Sequence, residues 1–530
     1  MNHPLLQKAS IVLTPTAYGA DTLNSIKPAI PFGDELVVNG NYRDGLTGWS
    51  TQIPSGQSVS VTNNQLRINY DSSATQGSTG VNQTILTANK PVRIIVDIAS
   101  ITGTIRIQAG GQVQDISSTG VHTFEKTPTS AILFIVRSSN SSSVDVTINS
   151  ISVKEKTDAD FEFTRGSTGT RVGESGLIET IASGKPRINF TSGAGALLLE
   201  PQITNHYLKS EAFDNFSGTI NLNNATSPTG ATNAAKLTKT SASDQFLNLS
   251  WSGTTISTST AYTMSLFVKH NGDDIDVRYE YNNSSDWGVT WTALFLVRAS
   301  GTTASTVTNC TSKVEDFGNG WYRISCTFTT AGSVSATSPA NLVRITGGDT
   351  ETILVFGAQM EKYLAPTSYI PSLGTAVTRS QDVCGNAGSS DLINSTEGTL
   401  YAEIDVQAIS GGTFLSLSAG NSSNRVIFGF ISSSGKFFIT GSGSTSSSTF
   451  SITTGQFNKI ALTYKANERK VFVNGSSAFS STSSFSLPTG LSELSFDSNG
   501  TGSQDFEGSV KTVAVFKEAL TDAELTTLTS

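Results

Sequence analysis

The segment "SVSVTNNQLRINY", residues 58–70, decides the fold class. Apolar and polar residues alternate strictly in it, with Val59 and Val61 before a pair of asparagines and Leu66 and Ile68 after it. Successive side chains of a β-strand point to opposite faces, so a period of two predicts strands with one buried face. The asparagines interrupt the alternation, as turn residues do. The segment therefore predicts antiparallel strands of a β-sandwich.

The same alternation, broken by Gly, Asn or Ser, recurs in two further long regions. A chain of 530 residues is too long for one hydrophobic core. We therefore predict an all-β protein with three tandem antiparallel β-sandwich (jelly-roll) domains after a short extended N-terminal arm. The predicted divisions are an arm at 1–35, sandwiches at 36–156, 201–383 and 384–530, and a Gly-rich connector at 157–200.

Composition and charge exclude several classes of partner. The net charge is −8 and the isoelectric point is about 5.2, so we expect no nucleic-acid partner. No run of 18 apolar residues and no signal peptide is evident, so we expect no membrane insertion. Cys310 and Cys326 are candidates for a cross-strand disulfide, but with only three cysteines in the chain we expect reduced, buried thiols.

The predicted arm contains one β-like run, Ile11 to Leu13, followed by turn residues and by Pro15, Pro28 and Pro31. That is too little apolar material to bury a core. Two alternatives follow: a frayed terminus, or a docking segment that a partner orders.

The predicted connector is typified by "FEFTRGSTGTRVGESGLIET", residues 161–180. Its regularly spaced glycines suit tight turns. A phosphate-binding loop requires a following helix, and no helical periodicity follows. We therefore interpret the stretch as structural. Arg165 and Arg171 are expected to pair at the surface with Glu162, Glu174 or Glu179.

Catalytic and metal-binding motifs are absent from the sequence. The four histidines have no metal-ligand spacing, and no nucleophile motif occurs. Asp273, Asp274, Asp276 and Glu280 form a carboxylate cluster that we interpret as a solvated strand edge rather than a glycosidase pair. Asp405, Asp497 and Asp505 could supply oxygen ligands to calcium, but their spacing in the sequence is not specific to a calcium site. We predict no catalytic residues, no metal and no cofactor.

A sugar-binding site is predicted in the second sandwich, within "DVRYEYNNSSDWGVTW", residues 276–291. Sugars bind to an exposed aromatic platform beside amide or carboxylate groups. Trp287, with Asp286, Tyr281 and Asn283, provides that combination, and the turn position of Trp287 is the least core-like. The alternative for each aromatic residue is packing in the core.

Three resemblances follow from quoted segments. The order from "NGNYRDGLTGW", residues 39–49, to "VDVTINSISVKE", residues 144–155, resembles jelly-roll carbohydrate-binding modules. "GSVKTVAVF" followed by "ALTDAEL", within residues 508–525, is similar to the closing segment of concanavalin A-like, laminin G-like lectin sandwiches. Thr521 and Glu524 there predict a capping box and a short terminal helix.

The third resemblance joins the connector to the second sandwich. "FEFTRGSTGTRVGESGLIE", "PRINF" and "LLLEPQITN" precede "GNGWYRISCTFT", "GAQMEKY" and "APTSYIP". This succession resembles a module of bacteriophage structural proteins. The resemblance implies a virion protein made in the host cytoplasm.

These observations predict a non-enzymatic phage appendage, a tail fibre or head fibre. It would dock to other virion proteins through residues 1–35 and contact host surface polysaccharide through its sandwiches. We expect a homo-oligomer, with a trimer among the alternatives. The competing hypotheses are a structural decoration protein and a tail-borne glycan-degrading enzyme.

Overall fold

A computed structural model of the chain confirms the predicted all-β sandwich fold. It describes residues 3–14, 18–19, 22–23, 25–27, 32–75, 77–88, 90–156, 159–191, 193–250, 252–253, 256–281, 291–334, 343–406, 412–431, 434–498 and 504–530. The chain divides into two compact units. One is Pro28–Asp158, and the other, the larger unit, combines Met1–Lys27 with Ala159–Ser530.

The N-terminal segment contains a 3-10 helix, Pro4–Gln7, and three short strands. The strands are β1 (Ile11–Leu13), β2 (Tyr18–Gly19) and β3 (Thr22–Leu23).

The first sandwich lies in the unit Pro28–Asp158 and has an all-antiparallel pair of sheets around one core. One sheet has the order β11-β10-β13-β8-β5, and the other has β12-β9-β14-β7-β6 with β4 added on β14. The strands are β4 (Phe32–Glu35), β5 (Ser50–Gln52), β6 (Ser58–Thr62), β7 (Gln65–Tyr70), β8 (Gly80–Thr84), β9 (Val92–Thr102), β10 (Ile105–Ala109), β11 (Gln112–Ile116), β12 (Gly120–Lys126), β13 (Ile132–Arg137) and β14 (Val144–Lys156).

The segment 58–70 forms the hairpin β6–β7 of this sandwich. Val59 lies opposite Ile68, and Val61 lies opposite Leu66. Asn63 and Asn64 both have positive φ angles, 53° and 59°, which is the backbone of a type I′ turn and matches the twist of the strands. The alternation thus places Leu66 and Ile68 in the core.

The described residues of the predicted connector form five short strands, and a sixth follows directly after it. They are β15 (Glu162–Thr164), β16 (Gly169–Val172), β17 (Ile178–Ile181), β18 (Arg187–Asn189), β19 (Ala196–Leu199) and β20 (Ile203–Asn205).

The second sandwich packs a sheet of order β21-β22-β31-β24-β29-β28 on one of order β23-β30-β25-β26-β27, around a single core. Its strands are β21 (Thr219–Ala225), β22 (Ala234–Thr238), β23 (Gln245–Leu247), β24 (Ala261–His270), β25 (Ile275–Tyr281), β26 (Trp291–Arg298), β27 (Gly301–Thr308), β28 (Thr311–Asp316), β29 (Trp321–Thr329), β30 (Val343–Thr346) and β31 (Thr352–Glu361). Cys310, Cys326 and Cys384 are free thiols.

The remaining strands are β32 (Val377–Arg379), β33 (Val383–Gly385), β34 (Glu397–Asp405), β35 (Gly412–Ser418), β36 (Arg425–Ile431), β37 (Ser434–Gly441), β38 (Ser444–Phe450), β39 (Asn458–Lys465), β40 (Glu468–Val473), β41 (Ser476–Ser481), β42 (Glu493–Ser495) and β43 (Gly508–Phe516). Helix α1, Asp522–Thr529, follows, and Thr521 with Glu524 makes the predicted capping box.

The C-terminal sandwich is built from three separate stretches of chain. Its larger sheet has the order β18-β19-β43-β34-β39-β40-β41, and its smaller sheet has β38-β37-β36-β35-β42. Strand β43 pairs with β34 along one edge. Along its other edge it pairs with β19 at residues 508–510 and with β1 at residues 513–515.

The expectation of an extended N-terminal arm is therefore corrected for residues 3–14. Ile11 and Leu13 enter the core between the two sheets, and Val12 packs on the opposite face of the larger sheet with Leu525. Three apolar residues are too few for a core of their own, but as an added strand they are buried on both faces. The partner that orders this stretch is the same chain.

Candidate functional site

Of the predicted sugar-binding group, Tyr281 is the member that lies among the described residues. Asn283, Asp286 and Trp287 fall outside the described residues. Tyr281 closes β25, and its backbone lies opposite Trp291 in β26. This group therefore stays a prediction.

Two other aromatic residues of the sequence analysis are placed. Tyr279 is a core residue, with its ring edge-on to Phe295 at a centroid distance of 5.9 Å. Trp49 is also buried, in the first sandwich, and its Nε1 donates to the carbonyl oxygen of Asn39 at 3.3 Å. For both residues packing, not sugar contact, explains the position.

The carboxylate cluster at the start of β25 is held by an arginine. Nη2 of Arg298 lies 2.6 Å from Oδ1 of Asp276, and its Nε lies 3.7 Å from Oδ2 of the exposed Asp274. Oδ2 of Asp273 accepts from the backbone N–H of Thr352 at 2.9 Å. These contacts agree with a solvated strand edge.

The three candidate calcium ligands each have different surroundings. Asp405 is buried, Asp497 accepts from Oγ of Ser416 at 3.3 Å, and Asp505 accepts from Gln381. Across the described ranges, no group of three or more His, Cys, Asp or Glu side chains is arranged to hold a metal ion. In the same ranges, no helix is long and apolar enough to span a membrane.

Five charged side chains form a buried charge cluster: Arg165, Arg187, Glu200, Arg379 and Asp382. Asp382 binds two arginines, with Oδ1 3.1 Å from Nη1 of Arg165 and Oδ2 accepting from Nη2 of Arg187. Oε2 of Glu200 lies 2.7 Å from Nη1 of Arg187 and 3.0 Å from Nη1 of Arg379. Because each charge has an opposite partner, the desolvation cost of burying it is offset.

The position of Arg165 corrects a sequence expectation. Arg171 pairs with Glu179 as expected, at 3.0 Å, but the Arg165 side chain is completely buried. The turns of the connector wrap the Arg165 guanidinium, which donates to the carbonyl oxygens of Ala182 at 2.7 Å and Lys185 at 3.0 Å. A guanidinium has five N–H donors, and these two carbonyls, those of Ser167 and Ile181, and Asp382 accept from it away from water.

The segment "APTSYIP" anchors the connector to this cluster. The backbone N–H and Oγ of Ser368 donate to the two carboxylate oxygens of Glu200, both at 2.7 Å. Oγ1 of Thr170 donates to the carbonyl oxygen of Tyr369 at 2.6 Å. The connector is thus fixed to the second sandwich by buried polar contacts.

Two buried carboxyl groups in this region have pKa values that are shifted in opposite directions. Burial raises the pKa of Glu361 to about 7, although Arg323 and the hydrogen bonds from Thr367 lower it. Burial also opposes ionisation of Glu200, but the charges of Arg379 and Arg187 outweigh it and lower its pKa to about 2. Glu200 is therefore a permanent anion, whereas Glu361 changes charge near neutral pH.

A cleft lies beside the cluster, between the second and C-terminal sandwiches. The connector lines it with Arg171 and Asn189, the second sandwich with Phe317 and Tyr363, and the C-terminal sandwich with Glu507. Oη of Tyr363 donates to Oε2 of Glu507 at 2.5 Å, so a hydrogen bond joins the two sandwiches at this cleft. Burial raises the pKa of Glu507, and the Tyr363 bond opposes that shift.

Sequence reasoning identified the segments of this region but not their contacts. Arg165, Arg187, Glu200 and Ser368 lie within the quoted connector and "APTSYIP" segments. The sequence feature that could have indicated burial of these charges is a charged residue within a short apolar or Gly-rich strand, as in "PRINF". Their partners are as many as 217 residues away, a separation at which pattern predicts no pairing.

The comparisons with known proteins agree with the C-terminal fold. Residues 383–526 match the family description "Concanavalin A-like lectin/glucanases superfamily". This region coincides with β33 to α1, the part of the C-terminal sandwich that is continuous in sequence. No curated protein matches the chain in sequence.

Several solved structures are similar to parts of the chain. The sialyllactose-bound CBM40 of the Ruminococcus gnavus IT-sialidase is 16% identical, with 28% of this chain and 94% of that chain covered and a TM-score of 0.24. Domain 4 of a GH43 extracellular arabinanase from Geobacillus stearothermophilus is 16% identical over 31% and 82% of the two chains, with a TM-score of 0.24. Mouse laminin α1 domains LG4-5 are 10% identical over 60% and 93%, with a TM-score of 0.19.

Proposed function

We propose that this protein is a non-enzymatic appendage of a bacteriophage virion, a tail fibre or head fibre, that contacts host surface glycans through its β-sandwiches. The observation that carries the proposal is the C-terminal sandwich, whose residues 383–526 match the concanavalin A-like lectin superfamily. The assignment to a virion rests on the resemblance of the connector and second sandwich to phage structural modules.

Repetition of sandwich modules supports contact with a surface. A single lectin-type site binds sugars weakly, and several copies on one particle raise the effective affinity by avidity. A homo-oligomer, with a trimer among the alternatives, would multiply the sites further. Residues 1–35 remain the proposed contact with other virion proteins. Since residues 3–14 already belong to the C-terminal sandwich, that contact would be made by a folded surface.

Competition for adsorption tests the proposal. The purified full chain is added to host cells before the phage particles, and free particles are counted. We expect the chain to lower adsorption on untreated cells and to bind poorly to cells whose surface sugars were oxidised with periodate. Equal binding to treated and untreated cells would contradict glycan contact. Antibody labelling of intact particles in the electron microscope locates the protein, and absence of label would contradict the virion assignment.

A further inference from the structure

We propose that the cleft between the second and C-terminal sandwiches binds a short neutral glycan. This inference rests on the proposed function, because it assigns glycan contact to a particular place. The cleft residues named below are different from the predicted sugar-binding group of Trp287, Asp286, Tyr281 and Asn283.

The cleft has an aromatic wall that is fixed in place. Phe317 is half-buried and lines the cleft, and the buried Phe267 packs edge-on against it at a centroid distance of 4.8 Å. Tyr369 packs on Phe267 in turn, with centroids 6.0 Å apart. Tyr363 is held by its bond to Glu507. A rigid ring that is partly exposed provides the apolar surface on which the C–H face of a sugar stacks.

Polar groups surround this wall. The carboxylates of Glu315 and Glu507, the amide of Asn189 and the guanidinium of Arg171 all line the cleft. A carboxylate has about four acceptor positions, so Glu507 can accept from sugar hydroxyls in addition to Tyr363. Donors and acceptors placed around an apolar surface match the ring of hydroxyls that a sugar presents.

The charges at the cleft favour a neutral ligand. Arg171 lies 3.0 Å from Glu179, and Glu315 lies 2.8 Å from Lys313. Glu200, which also lines the cleft, is neutralised by two arginines of the buried charge cluster. Because Arg171, Glu315 and Glu200 are paired in this way, these three side chains offer no net attraction to a phosphate or a polyamine.

Saturation-transfer NMR on the full chain tests the site, with free glucose, galactose, N-acetylglucosamine, lactose and maltose as probes. Phe317→Ala removes the stacking surface, and Glu507→Gln replaces an acceptor oxygen by an amide. We expect each change to weaken binding of a responding sugar by about tenfold. Phe246→Ala and Glu493→Gln are the matched controls, because Phe246 and Glu493 are half-buried in the same two sandwiches and do not line the cleft.

Each outcome decides a different point. Loss of binding in both cleft variants, with normal binding in both controls, supports the site. Equal binding by all variants overturns the cleft assignment and leaves the proposed function standing. If no probe binds but periodate-sensitive adsorption to cells persists, the cleft assignment again fails alone. If adsorption is also insensitive to periodate, the proposed function fails with it. Thermal unfolding checks each variant, and if Phe317→Ala does not fold, Glu507→Gln with Tyr363→Phe decides.

Discussion

The first sandwich takes both of its sheets from one continuous stretch of chain, whereas the C-terminal sandwich assembles its larger sheet from three. In the first sandwich β4 to β14 follow one another and share one core. In the C-terminal sandwich β1 and β19 both pair with β43, which is about 300 to 500 residues further along the chain. Loops that long must close before these strands are stabilised, so the C-terminal sandwich has the higher contact order.

The two regions also differ in the burial of their ion pairs. Ion pairs of the first sandwich, such as Arg106 with Asp115, are exposed on the sheet surface. The larger unit buries Arg165, Arg187 and Asp382 together. Exposed pairs contribute little because water screens them, whereas a buried charge that loses its partner is costly. The stability of the larger unit therefore depends on contacts between distant segments of the chain.

Replacing one anion in each region gives the largest expected contrast. Asp382→Ala leaves two buried guanidinium groups without their shared partner, and we expect it to lower the free energy of unfolding of the larger unit by about 3–5 kcal/mol. Asp115→Ala should cost the first sandwich less than about 1 kcal/mol. Denaturant unfolding of the full chain measures both. Similar losses from the two variants would contradict the difference in burial.

Replacing one core isoleucine in each region by alanine shows which unit each residue stabilises. Ile11 and Ile68 are both fully buried, so alanine at either should cost about 2–5 kcal/mol. We expect Ile11→Ala to lower the unfolding transition of the larger unit, because β1 belongs to the C-terminal core, and Ile68→Ala to lower only that of the first sandwich. An Ile11→Ala variant with wild-type stability would show that β1 contributes nothing.

The stabilities of the two units should respond differently to pH between 4.5 and 7. The pKa of Glu361 is raised to about 7 by burial, so its neutral form stabilises the larger unit at pH 4.5. That stability is lost at about 1.4 kcal/mol per pH unit as the pH rises through about 7. Glu200, with a pKa of about 2, stabilises the unit above pH 4.5 and loses its effect only as the pH falls towards 2.

In the first sandwich the hydrogen bond from Arg106 lowers the pKa of Asp115, and that from Arg67 lowers the pKa of Asp145. Their contribution is present above about pH 4 and is lost in acid, so this sandwich should show no loss between pH 4.5 and 7. Glu361→Gln should reduce the loss of stability that the larger unit shows as the pH rises from 4.5 to 7. A profile unchanged by Glu361→Gln would refute the assignment of the pH dependence to this carboxyl.

The sequence predicted what depends on neighbouring residues. Local periodicity and turn chemistry predict the hairpin at 58–70, the capping box of Thr521 and Glu524, and the half-buried pair of Arg171 with Glu179. The sequence did not predict the insertion of β1 or the burial of Arg165. Neither a strand of three residues nor a single arginine has a local feature that identifies the distant residues it contacts. The cleft was missed for the same reason, since three regions of the chain line it.

The smallest expected effect on stability belongs to the predicted sugar-binding turn. Trp287→Ala should leave the unfolding transitions of both units unchanged, because a turn aromatic contributes little to a core. It should reduce adsorption of the purified chain to host cells, because stacking on the indole is lost. Unfolding of this variant would contradict the exposed position predicted for Trp287. Normal folding with normal adsorption would favour the decoration-protein hypothesis.

Hydrogen exchange on a chain lacking residues 1–14 tests the three-part assembly most directly. In the intact chain β43 is paired along both of its edges, and β1 protects the edge at residues 513–515. Without β1, peptides covering 508–516 should exchange at least about tenfold faster, while peptides covering 144–156 of the first sandwich keep their rates. Unchanged protection of 508–516 would contradict the account, because the C-terminal sandwich would then be complete without the N-terminal strand.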